Sequence, residues 1–171
     1  MSRHTPQPLA ISGAPFSIGI ACARFNPALV DGLLDRVCAA LRAAGVRPER
    51  IEIVRVPGSH ELPVAAQWLA ARRPDCVLAL GVLLKGGTSH HEVVAHGVTA
   101  ALQQVALARG IAVINGVVVA ETWRQAEERC LGRIDRGAEF ARAALEMAAL
   151  KRRLAGRPRA GLRRKMNGRR S

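Results

Sequence analysis

The chain has no tyrosine and only three phenylalanines and two tryptophans in 171 residues. So few rings exclude a base-stacking nucleic-acid platform, which interleaves aromatics with basic residues. No window offers eighteen uninterrupted apolar residues, so no helical membrane span is expected. The N-terminus lacks the apolar core of a secretory signal, so the expectation is a cytoplasmic protein with a flexible leader over residues 1–15. The four cysteines, Cys22, Cys38, Cys76 and Cys130, form no C-x-x-C pair, which argues against a zinc ribbon or a thioredoxin-type redox site. Buried free thiols are expected instead. Neither G-x-x-x-x-G-K-[ST] nor G-x-G-x-x-G occurs, so the corresponding modes of nucleotide binding are not supported. Acidic side chains are missing from residues 151–171, which hold ten Lys or Arg. The other 150 residues hold sixteen basic and thirteen acidic side chains, a net of only +3. The formal charge of +13 is therefore mostly a tail, and residues 156–171 are expected to be disordered. Weak polyanion binding is the most that such a tail implies about nucleic acid.

What is present is an apolar chain, 49% hydrophobic and long enough for one real core. Four apolar runs look like strands: "FSIGIACA" (16–23), "RIEIVRV" (50–56), "DCVLALGVLL" (75–84) and "IAVINGVVV" (111–119). The first, third and fourth are apolar throughout, as a strand covered on both faces requires, and the second alternates as an edge strand can. Between them lie helical stretches. In "PALVDGLLDRVCAALRAAG" the apolar residues recur at three- and four-residue spacing, and Gly45 supplies the stop. "ELPVAAQWLAARR" follows the second strand and "HEVVAHGVTAALQQVALARG" the third, and helices near 122–131 and 137–154 close a domain spanning 16–155. This alternation predicts a three-layer α/β/α sandwich around a four-stranded parallel sheet. Ligands bind such sheets beyond the carboxyl ends of the strands, which marks the positions after Cys22, Val56 and Leu84 and around Asn115.

Three motifs fall at those positions. "GVLLKGGTSHHE" (81–92) ends a strand in a glycine turn that opens a helix. The doubled histidine suggests a metal, but the sequence reads H-E-x-x-x-H from His91 to His96. Five helical positions set the two imidazoles about 140° apart, too far round for one ion. Ser89 and Glu92 have capping-box spacing, which predicts a well-capped helix start. The same turn can seat an anion. Gly86 and Gly87 let backbone N–H groups approach, Thr88 adds a hydroxyl and the helix dipole favours negative charge. His90 stands at the rim, where an imidazole can pass protons near neutral pH. In "VPGSHELP" (56–63), Ser59 can cap the following helix and Glu61 falls in its first turn. In "ARFN" (23–26), Phe25 is either a core plug or a platform for a flat ring.

In this order, the pieces resemble the lumazine synthase family. The family pattern has R-F-N after strand one, V-P-G-[SA]-x-E-[LI]-P after strand two and G-x-V-I-[RK]-G-x-T-x-H-[FY] after strand three. A G-[VI]-[LV] run, Q-A-x-x-R and K-G follow. Here these read "RFN", "VPGSHELP", "GVLLKGGTSHHE", "NGVVV", "QAEER" and "RG". The resemblance, over about residues 16–150, implies a flavodoxin-like fold. The implied reaction condenses 5-amino-6-(D-ribitylamino)uracil with 3,4-dihydroxy-2-butanone 4-phosphate in riboflavin biosynthesis, without cofactor or metal. By resemblance Phe25 stacks on the pyrimidine, Ser59, His60 and Glu61 hold the same substrate, and Val82, Leu83 and Leu84 line its pocket. Gly86, Gly87, Thr88 and Arg129 receive the phosphate, and His90 transfers protons. Asn115, Arg129 and Arg136 would complete a neighbouring subunit's site, in a pentamer or a sixty-subunit capsid. Riboflavin synthase would be the pathway partner. His60 and Asn115 stand where aromatics are common, and Arg136 where a lysine is. Those departures keep a rival expectation open, a binding or shell-forming protein of this fold with little activity.

Overall fold

The computed structural model describes residues 9–156; residues 1–8 of the leader and 157–171 of the tail lie outside it. Strand β1 (Ile18–Ala23) leads to helix α1 (Pro27–Ala43), β2 (Ile51–Val56) to α2 (Leu62–Ala71), and β3 (Cys76–Leu84) to α3 (His90–Arg109). Strand β4 (Ala112–Ala120), α4 (Trp123–Cys130) and α5 (Arg136–Ala155) complete the domain. All strand pairs are parallel, in the order β2-β1-β3-β4, the doubly wound order of a flavodoxin-like α/β fold.

The two faces of the sheet carry different side chains. On one, Ile18, Ile20 and Cys22 of β1 and Cys76, Leu78, Leu80 and Val82 of β3 pack against α1, α4 and α5. On the other, Ala21, Val77 and Ala79 meet α2 and α3. The smaller residues bring α2 close: a Cβ on Gly19 would lie 3.3 Å from the Leu69 side chain. Each fully buried leucine contributes about 2–3 kcal/mol by leaving water. Gly45, with φ 96°, and Gly110, with φ 61°, end α1 and α3 in conformations that other residues avoid.

At the N-terminal end of the strands, Asp75 accepts hydrogen bonds from the Ser17 N–H at 2.8 Å and from Arg152 Nε at 2.7 Å and Nη2 at 2.8 Å. The Arg152 guanidinium also lies over the Phe16 ring, 5.1 Å from its centroid. This ties the last helix to the base of β1 and β3. In the described part of the leader, the Gly13 N–H donates to the Ala44 carbonyl at 2.7 Å and Ile11 packs on the core, so this stretch is attached rather than free.

Strand β4 is the second edge of the sheet. As expected it is covered on both faces, Ile114 and Val118 joining the core on the α1 and α5 side and Val113 and Val117 the core on the α2 and α3 side, while Asn115 and Val119 stay exposed. One sequence expectation needs correction: Asn115 does not stand at a strand's carboxyl end. It pairs in register with Ala79, five residues before β4 ends at Ala120, and its Nδ2 donates to Thr99 Oγ1 of α3 at 3.0 Å. All four cysteines are buried and unpaired, as expected. Among the described residues no helix is long and apolar enough to cross a membrane.

Candidate active site

The carboxyl ends of β1, β2 and β3 open on one cleft of about 530 Å³. Phe25, Ser59, His60, Glu61, Val82, Leu83, Leu84, Gly86, Thr88 and His90 are among the residues that line it. The three motifs are thus brought together by strand order alone, although they lie up to 65 residues apart.

Each loop has its own anchor. Asn26 sits at the N-cap of α1 in the left-handed region (φ 56°), and its Nδ2 donates to the Val82 carbonyl at 3.0 Å. That bond pins the "ARFN" loop to β3 and turns Phe25 outward, where it is 70% exposed. An aromatic ring so open is no core plug; it is a platform at the mouth of the cleft. The Glu61 carboxylate accepts the Gly58 N–H at 2.8 Å, which fixes the second loop. The Ser59–Glu61 turn lies directly on β3, because Gly81 has no side chain. A Cβ there would come within 2.6 Å of Ser59 Oγ. Ser59 does not cap α2 as expected: a single 3-10 turn (59–61) intervenes, α2 starts at Leu62, and Ser59 Oγ is buried without a hydrogen-bond partner.

The third loop also departs from expectation. Ser89 is the N-cap of α3 but its side chain makes no cap bond, so the Ser89–Glu92 capping box is not formed. Its backbone (φ −76°, ψ 11°) lies outside the extended region from which a capping hydroxyl reaches the helix N–H groups. Thr88 Oγ1 instead lies 3.5 Å from the His90 N–H. At the start of this 20-residue helix the Glu92 and Val93 N–H groups donate to the Ser89 carbonyl at 3.0 and 3.2 Å, and the long Thr88 contact is the side-chain partner of the His90 N–H. Gly86 and Gly87 face open space, with no atom within 4 Å of a Cβ built on either. His90 is exposed on the rim, and His91, one residue on, turns inward and is 8% exposed.

Burial pushes the thiols of Cys22, Cys76 and Cys130 up to about 11, 12 and 11, which removes them as nucleophiles near neutral pH. Three expected site residues lie away from this cleft. Asn115 is on the β4 edge, Arg129 on α4 donates to the Gln125 carbonyl at 2.9 Å, and Arg136 at the start of α5 pairs with Glu139. The inward wall residues His91 and Val94 and the anchor Asn26 were not foreseen as site residues. Only the helical phase of "HHEVV" carried a signal for the first two.

Comparison with known proteins agrees with this arrangement. Residues 15–152 match the family model described as 6,7-dimethyl-8-ribityllumazine synthase. The chain belongs to that family. It is 44% identical over 150 residues to the 6,7-dimethyl-8-ribityllumazine synthase of Halorhodospira halophila, covering 86% of this chain and 95% of that one. The enzyme of the same name from Pyrococcus furiosus is 42% identical over 142 residues, 83% of this chain and 89% of the relative. That from Saccharopolyspora erythraea is 42% identical over 158 residues, 88% and 92% of the two chains. Of the expected site residues in the loops after β1, β2 and β3, the cleft holds all except Gly87, which lies in the turn between Gly86 and Thr88.

Proposed function

We infer that the chain is a lumazine synthase, forming 6,7-dimethyl-8-ribityllumazine from 5-amino-6-(D-ribitylamino)uracil and 3,4-dihydroxy-2-butanone 4-phosphate. The observation that carries this is the convergence of Phe25, Ser59, His60, Glu61, Val82, Leu83, Leu84, Gly86, Thr88 and His90 on one cleft, in a chain of that family. The uracil ring stacks on Phe25, and Glu61, already oriented by Gly58, accepts ribityl hydroxyls. The phosphate sits before the start of α3, where the helix dipole favours negative charge and Ser89 makes no side-chain cap, with Gly86, Gly87 and the Thr88 hydroxyl around it.

The reaction then needs proton transfers and alignment. The uracil's amine attacks the ketone and water leaves, giving an imine. Phosphate is eliminated, the resulting enol tautomerises, and the ribitylamino nitrogen closes the ring with loss of a second water. Nothing is oxidised or reduced overall. His90, at the rim beside the phosphate seat, carries the protons. Holding both substrates in one cleft supplies the larger part of the acceleration.

One chain's cleft lacks a guanidinium for the departing phosphate. We assign that part to Arg129 of an adjoining subunit, with Asn115 and Arg136 on the same contributed surface, in a pentamer or a sixty-subunit shell. The exposed β4 edge and the apolar Val64, Trp68 and Val93 give such an assembly surface to cover. The cytoplasm, and riboflavin synthase as consumer of the product, follow from the same reading. Purified protein given both substrates should develop lumazine fluorescence and release one phosphate per product. Absence of both would refute the assignment. Light scattering separates a pentamer from a larger shell.

A further inference from the structure

Among the described residues, only two buried side-chain polar atoms lack a hydrogen-bond partner, Ser59 Oγ and His91 Nδ1, and both residues line the cleft. They are 5% and 8% exposed. A buried polar atom without a partner costs free energy, so two of them in one cleft need an explanation. The packing of the fold does not supply one. Ser59 is pressed onto β3 at Gly81, and His91 enters from the first turn of α3, which packs on the same 59–61 turn.

The chemistry of the pair limits what could satisfy it. His91 Nε2 is turned toward the Glu92 carboxylate, 3.9 Å from Oε1. At that distance the two do not form a hydrogen bond, but an imidazole carrying its proton on the nitrogen nearer the carboxylate leaves Nδ1 a lone pair, an acceptor. A phosphate offers acceptor oxygens only, so it does not suit Nδ1, and its seat at the exposed Gly86–Thr88 turn is separate from this inner wall. A neutral O–H or N–H suits it, and the Ser59 hydroxyl, in the same cleft, can either give or take.

We propose that His91 is a specificity-determining positioning residue of the cleft, its Nδ1 accepting a hydrogen bond from an O–H or N–H of the hydroxylated heterocyclic substrate. The role rests on the function proposed above but concerns a residue that reading leaves idle: the proton carrier is its neighbour His90. His91 holds one substrate in place and performs no proton transfer.

The test is steady-state kinetics of His91→Phe and His91→Asn, with thermal melting alongside. Phenylalanine keeps the volume and removes Nδ1, and the Asn amide places a polar atom near the Nδ1 position. His91→Phe should raise KM for the ribitylaminouracil about tenfold or more, and leave KM for the butanone phosphate and kcat within about twofold. His91→Asn should recover most of the loss. A His91→Phe protein with both KM values unchanged in an active wild-type background overturns this proposal alone. So does a change confined to melting temperature, which would make His91 a packing residue. No product from the unmodified chain overturns the function itself, and this role with it.

Discussion

The two ends of the parallel sheet are built on opposite principles. At the N-terminal end the central polar groups are paired: Asp75 takes Ser17 and Arg152 together, and Arg152 covers Phe16. At the C-terminal end Phe25 stands in solvent, α3 starts without a side-chain cap, and Ser59 Oγ and His91 Nδ1 are buried without partners. One sheet thus carries a closed end that holds the fold and an open end whose groups are arranged for something outside the chain. Local rules are satisfied where stability is at stake and broken where binding is.

The largest effect that should separate the ends is His90→Ala. It should cut kcat by about 10²–10⁴-fold, the ordinary contribution of one general acid–base group, with melting unchanged. Arg129→Ala comes next. Loss of a charge-assisted contact worth about 1.5–3 kcal/mol should raise KM for the butanone phosphate about 10–100-fold and leave KM for the other substrate alone. Asp75→Asn probes the closed end and should do the reverse, leaving turnover intact and costing about 1 kcal/mol, or about 2–4 °C of melting temperature. The pH dependence has a definite sign. Burial pushes the Asp75 carboxyl up, but the hydrogen bonds from Arg152 and Ser17 and the guanidinium charge outweigh burial and hold it below the usual 3.8. A lowered carboxyl stabilises the fold above that value and stops doing so as pH falls through its folded value. The gap between wild type and Asp75→Asn should therefore close in acid, as read by melting at pH 7 and below 3. The smallest effect is at the thiols: Cys22, Cys76 and Cys130 should react with iodoacetamide at pH 7 far more slowly in the native protein than in urea, because burial holds them protonated.

The strands, the helices and the gathering of the site loops were legible because each rests on a local period or a local glycine. "RFN", "VPGSHELP" and "GVLLKGGTSHHE" needed only parallel order to meet at one end. Other features were set by geometry that a sequence does not display. The apolar run of β4 reports that both its faces are covered, which they are, but not that one of its edges is left unpaired. Asn115 was misplaced because its position depends on register with β3, which composition does not fix. The Ser89 cap failed on backbone angles, and His91 became visible only when its helical phase could be set against the Ser59 turn.

The account's central claim is that the open end is a catalytic cleft finished by a neighbouring subunit. The most direct test is the turnover of mixed assemblies, made by co-expressing His90→Ala and Arg129→Ala chains and assayed at low butanone phosphate. Some sites in such an assembly join an intact His90 from one chain to an intact Arg129 from the other. The account predicts activity well above the sum of the two separate variants, near a quarter of wild type for random mixing. Activity no greater than that sum would contradict it.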